Sequence, residues 1–353
     1  MESAELLPEP VPADLARYTR QVILPRVGVE GQRRLASSRV LVVGLGALGG
    51  ALASSIVRAG IGFVRLVDRD DVEIGNLQRQ SLYDEDDIAS GLPKAVTAAR
   101  KLARANSSIK IEAITADVSP RNIEALVKDC SLVLDGSDNF ETRLLLNDAC
   151  LKHRVPWIYG AVIGTGGCTF TILPGDGPCV RCVISSLPVA GTVPTTETAG
   201  VLGMTPQAVS ALQAAEAIKL LTGHRNDLVR GIRFLDLWEG SFEELKVAKG
   251  PQPCPACDMA NYEYLNGAGN GGTTKMIGRA VVQVDPGPGQ APDLAALSRK
   301  LARAGKVTCN SSLLRLETTS GLVLALFADG RAIVKGAGDE AAARAACARY
   351  FGS

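Results

Sequence analysis

Nine cysteines and only two histidines make thiolate chemistry the first thing to look for in this chain. Four of the cysteines form two matched pairs, Cys179-Val180-Arg181-Cys182 and Cys254-Pro255-Ala256-Cys257. Each CxxC presents two sulfurs from one turn, and two such pairs supply the S4 set that tetrahedral Zn2+ accepts. Four sulfur ligands leave no position for water, so the reading is a structural zinc rather than a catalytic one. Free buried thiols or a redox pair are the alternatives. The other cysteines, Cys130, Cys150, Cys168, Cys309 and Cys347, lie in apolar strand- or helix-like runs and read as core residues. His153, in LKHRVP, reads as a helix-end residue beside a turn.

The second constellation handles phosphate. Gly44-Leu45-Gly46-Ala47-Leu48-Gly49 is a GxGxxG placed between an apolar run and a helical one. Glycines there permit a tight turn and let the N–H groups of a helix N-terminus approach a phosphate. Asp68 closes the next apolar run, where a carboxylate can accept from ribose hydroxyls. The same pattern serves NAD-dependent oxidoreductases, and a glycine-rich packing turn needs no ligand at all. Against hydride transfer stand Arg79 and Lys94, which follow Asp68 closely; cations so placed suit a triphosphate.

These residues need a scaffold, and the sequence supplies one. From residue 39 it alternates RVLVVG, a helical ALGGALASSIVRAG and FVRLVD, a βαβ signature. A helix over 94–105, a strand at IKIEAIT, a helix over 120–128, a strand at SLVLDG, a helix over 140–152 and a strand at VPWIYG continue it. The fold class expected is α/β: a doubly wound, Rossmann-like, mostly parallel sheet whose ligand crevice lies at the strand C-terminal ends. A strand-like GCTFTIL, an irregular stretch over 174–203 and a helix over 205–222 ending at Gly223 complete this part, which the cysteines tie together with zinc. Residues 1–16 read as a disordered tail, 17–265 as the large domain, 266–274 (NGAGNGGTT) as a linker and 275–353 as a small α+β domain. That last unit reads as an interaction module or a stabilising appendage.

Charge adds exclusions. Lysine plus arginine (38) nearly cancels aspartate plus glutamate (37) over 353 residues, so no broad field draws in nucleic acid or an anionic membrane. The most apolar stretch, 40–67, is broken by glycines, Arg58 and Arg65, which argues against a transmembrane helix. The acidic, proline-containing N-terminus lacks the pattern of a signal peptide, so a cytoplasmic location is expected.

The segments RYTRQ (17–21), VVGLGALG (42–49), Asp68, GNLQRQ (75–80), LPK (92–94) and LDGSDN (134–139) stand in the order of the ThiF/MoeB/HesA adenylyltransferases, which this chain resembles over about residues 17–258. That family is similar to the adenylation half of ubiquitin-activating enzymes. The resemblance implies ATP and Mg2+ as ligands. Gly44, Gly46, Ala47 and Gly49 would lie along the phosphates, and Asp68 would hold the ribose. Asn76, Arg79 and Lys94 would contact the triphosphate, while Asp138 would orient Mg2+ with Asn139 beside it. Arg20 would reach the neighbouring subunit's phosphates, which makes the unit a homodimer. The substrate implied is a small ubiquitin-like sulfur-carrier protein ending in Gly-Gly. Alternatives of other classes are the NAD-dependent oxidoreductase and a noncatalytic nucleotide-binding scaffold.

The chemistry expected follows from charge. A C-terminal carboxylate is ionised at neutral pH and needs no general base. Its obstacle is repulsion from the triphosphate, which cations and a metal relieve. Where many relatives place a cysteine before ETAGV, this chain has Thr196, a poor nucleophile unable to form a persulfide. Adenylation without a covalent relay, with sulfur coming from a separate donor, is the expectation.

Overall fold

The computed structural model describes residues 11–184, 196, 199–266, 273–276, 281–284, 292–338 and 340–351. Its large sheet comprises β1 (Arg39–Val43), β2 (Phe63–Asp68), β3 (Lys110–Thr115), β4 (Leu132–Asp135), β5 (Trp157–Ile163), β6 (Gly166–Ile172), β7 (Ile232–Asp236) and β8 (Ser241–Leu245). Their spatial order is β3-β2-β1-β4-β5-β6-β7-β8. The pairs from β3 to β5 are parallel, and those from β5 to β8 antiparallel. Central strands are apolar on both faces because helices cover both. Val40 and Val42 point to helices Ala47–Ala59, Lys94–Ala105 and Met204–Leu221, whereas Leu41 and Val43 join the cluster of Ile123–Val127 and Phe140–His153. β3 lies at the edge, and its mixed burial reflects that.

The expected α/β sheet is present, and its helices fall close to their sequence bounds. The β7–β8 hairpin was not anticipated: RGIRFLDLWEGSFEELKV carries its alternation weakly, with exposed Phe234, Trp238 and Phe242. Residues 13–16, assigned to the tail, lie in the 3-10 helix Ala13–Tyr18, where Leu15 is buried and Arg17 Nη1 donates to Ala105 O at 3.0 Å. Residues 1–10 of that tail lie outside the described residues, as do 267–272 of the expected linker. Thr273 and Thr274 already pair with Val284 and Gln283. Among the described residues no helix is long and apolar enough to cross a membrane.

The second sheet holds β9 (Thr273–Met276), β10 (Val281–Val284), β11 (Gly305–Cys309), β12 (Leu313–Thr318), β13 (Val323–Phe327) and β14 (Ala332–Lys335), in the order β11-β12-β13-β14-β10-β9, all antiparallel. Helices Leu294–Leu301 and Glu340–Phe351 cover one face through Leu314, Leu316, Leu324, Val334 and Cys347. Val281, Leu313, Ala325, Phe327 and Ile333 form a second buried cluster on the opposite face. Cys309, expected in a core, is exposed, because β11 is an edge strand.

Candidate functional site

Strand order reverses between β1 and β4, and the turns that leave these strands face each other there. Ligands of doubly wound sheets bind at such a point. Gly44 has φ +82°, and a Cβ on it would stand 2.7 Å from Gly136 O. A Cβ on Gly49 would stand 1.8 Å from Gly44 O, and one on Gly136 2.5 Å from Gly49 Cα. The protein's own packing thus demands glycine at these three places. Gly46 differs: the nearest atom to its Cβ would be Gln80 Nε2 at 3.7 Å, so among the described residues nothing fills that side. Helix Ala47–Ala59 begins there, and its first N–H groups have no intrahelical acceptor. A phosphate fits this open, donor-lined end.

Asp68 ends β2 and braces the turn. Its Oδ2 accepts from Leu45 N at 2.6 Å and its Oδ1 from Asp70 N at 2.7 Å. A carboxylate has roughly four lone-pair sites, so capacity for a ribose hydroxyl is left. Burial raises its pKa against the pull of Lys94. Lys94, only 5% exposed, opens its helix with its N–H on Asp70 O (2.8 Å) and its Nζ 3.4 Å from Asp70 Oδ2. Burial disfavours its charge, but Asp70, Asp68 and Asp138 more than restore it. Asp70 is pushed up by burial yet brought down to about 2 by Lys94, Arg69 and Arg331. The crevice wall therefore carries fixed, ionised groups of both signs.

Asn76 sits in the 3-10 helix Ile74–Asn76, its Oδ1 accepting from Glu73 N at 3.0 Å in a capping box. That leaves its amide nitrogen to donate. Arg79 Nη1 donates to Gly75 O at 2.7 Å, folding the guanidinium back on the same turn. Asp138 is exposed at the start of the β4 turn, within electrostatic reach of Arg69, Lys94 and Arg143. Asn139 caps helix Phe140–His153 by accepting from Thr142 N at 2.8 Å, a structural task the sequence reading had not given it. Arg20 is not brought to this crevice. It is exposed on Thr19–Val22, whose Gln21 Nε2 donates to Ala59 O at the far end of helix Ala47–Ala59, about 20 Å along the axis.

Several supports escaped the sequence reading. Asp135 and Arg143 form a buried pair at 3.3 Å, and Arg143 Nη2 donates to Ser137 O and Gly160 O. Losing one member of such a pair strands the other, at about 3–5 kcal/mol. Tyr83 Oη donates to Leu45 O at 2.9 Å, and Gln80 Oε1 is buried beside Gly46 without a partner among the described residues. The signals were present in LDGSDN and GNLQRQ, but nothing local says that Arg143, several residues on, turns back beneath the loop.

The second site is the thiol cluster. Cys179, Cys182, Cys254 and Cys257 hold their sulfurs within 4.8 Å of one another, with Cys179–Cys254 at 3.8 Å and Cys182–Cys257 at 3.6 Å. Metal–sulfur bonds of about 2.3 Å in a tetrahedron put sulfurs about 3.8 Å apart, so the set fits a closed four-coordinate metal. Asn147, fully buried, accepts from Val180 N at 3.1 Å and faces Cys179 Sγ at 3.7 Å. Asp148 Oδ2 accepts from Tyr264 N at 2.9 Å. Helix Phe140–His153 thus buttresses the first CxxC and the segment that follows the second.

Comparison with known proteins agrees with this architecture. The chain is 38% identical over 338 residues to the "Sulfur carrier protein ThiS adenylyltransferase" of Bacillus subtilis, covering 95% of this chain and 99% of that one. It is 41% identical over 266 residues to the "Sulfur carrier protein adenylyltransferase" of Thermus thermophilus, covering 72% and 97%. Among solved structures, E. coli MccB superimposes with a TM-score of 0.61 at 22% identity, over 69% of this chain and 73% of that one, a likeness of fold. The model of the ThiF family matches residues 18–256, the span that holds the crevice and all of the thiol cluster but Cys257, and the chain belongs to that family.

Proposed function

We propose that this protein is an ATP-dependent adenylyltransferase that activates the C-terminal Gly-Gly carboxylate of a ubiquitin-like sulfur-carrier protein as an acyl-adenylate. The observation that carries the reading is the convergence on one switch-point crevice of an open helix N-terminus at Gly46, the braced carboxylate of Asp68 and the buried cation of Lys94. Relatives whose names specify this activity support the substrate class.

The N–H groups at the start of helix Ala47–Ala59 bind phosphate oxygens, and Asp68 takes the ribose hydroxyls. Lys94 and Arg79 hold the triphosphate and draw charge from the departing pyrophosphate. The carrier's carboxylate oxygen attacks the α-phosphorus; the bond to the bridging oxygen breaks, and pyrophosphate leaves with that electron pair. No proton has to move, which suits a crevice without histidine. Asp138 would hold Mg2+, which supplies further positive charge to the phosphate oxygens. The four thiolates would hold Zn2+, which closes the domain structurally.

Arg20 is too far from its own crevice and serves a second subunit's site, in a homodimer. The exposed Trp238 and Phe242 on the β7–β8 hairpin offer apolar surface for a protein partner. Thr196 provides no thiol, so sulfur reaches the adenylated carrier from a separate donor. A reducing cytoplasm suits the free thiols.

The test is ATP–pyrophosphate exchange with a Gly-Gly-ending carrier. Exchange should require the terminal glycines and fall by about 10²–10³ in Arg79→Ala or Asp138→Ala protein that folds normally. Undiminished exchange in both variants refutes these assignments, and nicotinamide turnover in its place refutes the function.

A further inference from the structure

The face of the second sheet that its own helices leave uncovered is directed at one segment of the crevice. Alternation along β10 and β14 puts Val281, Gln283, Ile333 and Lys335 on that face, with Arg331 just before β14. Its polar members meet residues 69–73. Gln283 Oε1 accepts from Arg69 Nη1 at 2.9 Å, while Gln283 Nε2 and Arg69 Nη1 share the Asp117 carboxylate at 2.7 and 2.9 Å. Arg331 Nη2 donates to Arg69 O at 3.3 Å, and Lys335 Nζ is ion-paired with Glu73. Asn310 Nδ2 also donates to Gly91 O at 3.0 Å. The charges are complementary: Arg331 and Lys335 lie opposite Asp70, Asp71 and Glu73.

Both ends of the segment are thus held from outside the large domain, at Arg69 and at Glu73. Between them lies Asp70, which gives its N–H to Asp68 and its carboxylate to Lys94. Immediately after them lies Asn76, fixed by the Glu73 backbone. We propose that the C-terminal sheet is a brace for ATP binding, with Lys335 a positioning residue that acts through Glu73 on Asn76 and on the Asp68–Lys94 wall. This rests on the nucleotide reading of the crevice above. It replaces the choice between partner module and passive appendage with a defined role: the extension sets the affinity for nucleotide and leaves the chemical step alone. Lys335 touches no reacting atom in this account.

The experiment uses the full-length protein with Lys335→Ala and Lys335→Arg. Lys335→Ala should raise KM for ATP about three- to tenfold, with kcat and KM for the carrier held within about twofold, since only ground-state organisation is lost. Lys335→Arg should return KM toward the wild-type value. Amide hydrogen exchange over residues 69–76, measured without nucleotide, should quicken in Lys335→Ala and recover in Lys335→Arg. A wild-type KM together with unchanged amide exchange in Lys335→Ala overturns the brace. Faster amide exchange in a protein whose wild type shows no ATP–pyrophosphate exchange leaves the contact standing and overturns its role in ATP binding along with the proposed function.

Discussion

The nucleotide crevice and the thiol cluster are both built from turns that gather ionisable groups, yet they solve opposite problems. At the crevice, buried charges are kept ionised by one another, with Asp70 held down near 2 and Lys94 held up, while the side facing Gly46 is left open. At the cluster, the sulfurs turn inward, and the burial that pushes the Cys257 thiol up to about 12 makes a cation the natural counter-charge. One region is organised to receive charge from outside, the other to close on an ion of its own. Mutations in the first should separate function from folding; mutations in the second should not.

The largest effect is expected where the comparison is starkest. Cys254→Ser should abolish metal retention and, because structural zinc binding is worth about 10–16 kcal/mol, lower the melting temperature by at least about 10 °C, read by metal analysis and calorimetry together. An unchanged melting temperature with metal lost would make the cluster dispensable and break the contrast.

A sharper division runs through the glycine turn itself. Gly44→Ala forces a Cβ against Gly136 O at a positive φ and should destabilise the fold by about 2 kcal/mol or more, seen in denaturant unfolding. Among the described residues Gly46→Ala meets only Gln80 Nε2 at 3.7 Å, and it should keep stability within about 1 kcal/mol while ATP binding weakens. Equal losses of stability in both variants would contradict the idea that Gly46 is kept for a ligand.

The smallest effect concerns the edge of the crevice. Burial, and then Asp70, raise the pKa of Asp71 to about 6, and its Oδ1 has no hydrogen-bond partner among the described residues. A folded-state pKa above the unfolded value of 3.8 means that the native state binds the proton more tightly. The stability this group contributes is present below pH 3.8 and lost as pH rises through about 6. Asp71→Asn should therefore raise the melting temperature relative to wild type at pH 7 and leave it unaltered near pH 4, by thermal scans at the two pH values.

The same contrast explains how much could be read from sequence. The doubly wound half was legible because VLVV and LVL are uninterrupted apolar runs, as strands covered on both faces require. The thiol set was legible because each CxxC is a local motif. Glycines needed for packing at 44 and 49 and the glycine left open at 46 look identical in a string; only the approach of Gly136 O to Gly44 and of Gly44 O to Gly49 separates them. Asp135 with Arg143, and Lys335 with Glu73, are long-range or buried pairings whose partners carry no local mark. Edge elements such as β8, with every residue exposed, have little periodicity to read.

The most direct test of the central claim is a structure of the protein with a non-hydrolysable ATP analogue and Mg2+. Phosphate oxygens should lie on the N–H groups that open helix Ala47–Ala59, the ribose on Asp68 and the γ-phosphate within hydrogen-bond reach of Lys94 and Arg79. A nucleotide bound elsewhere, or phosphates turned away from Lys94 toward solvent, would contradict that claim.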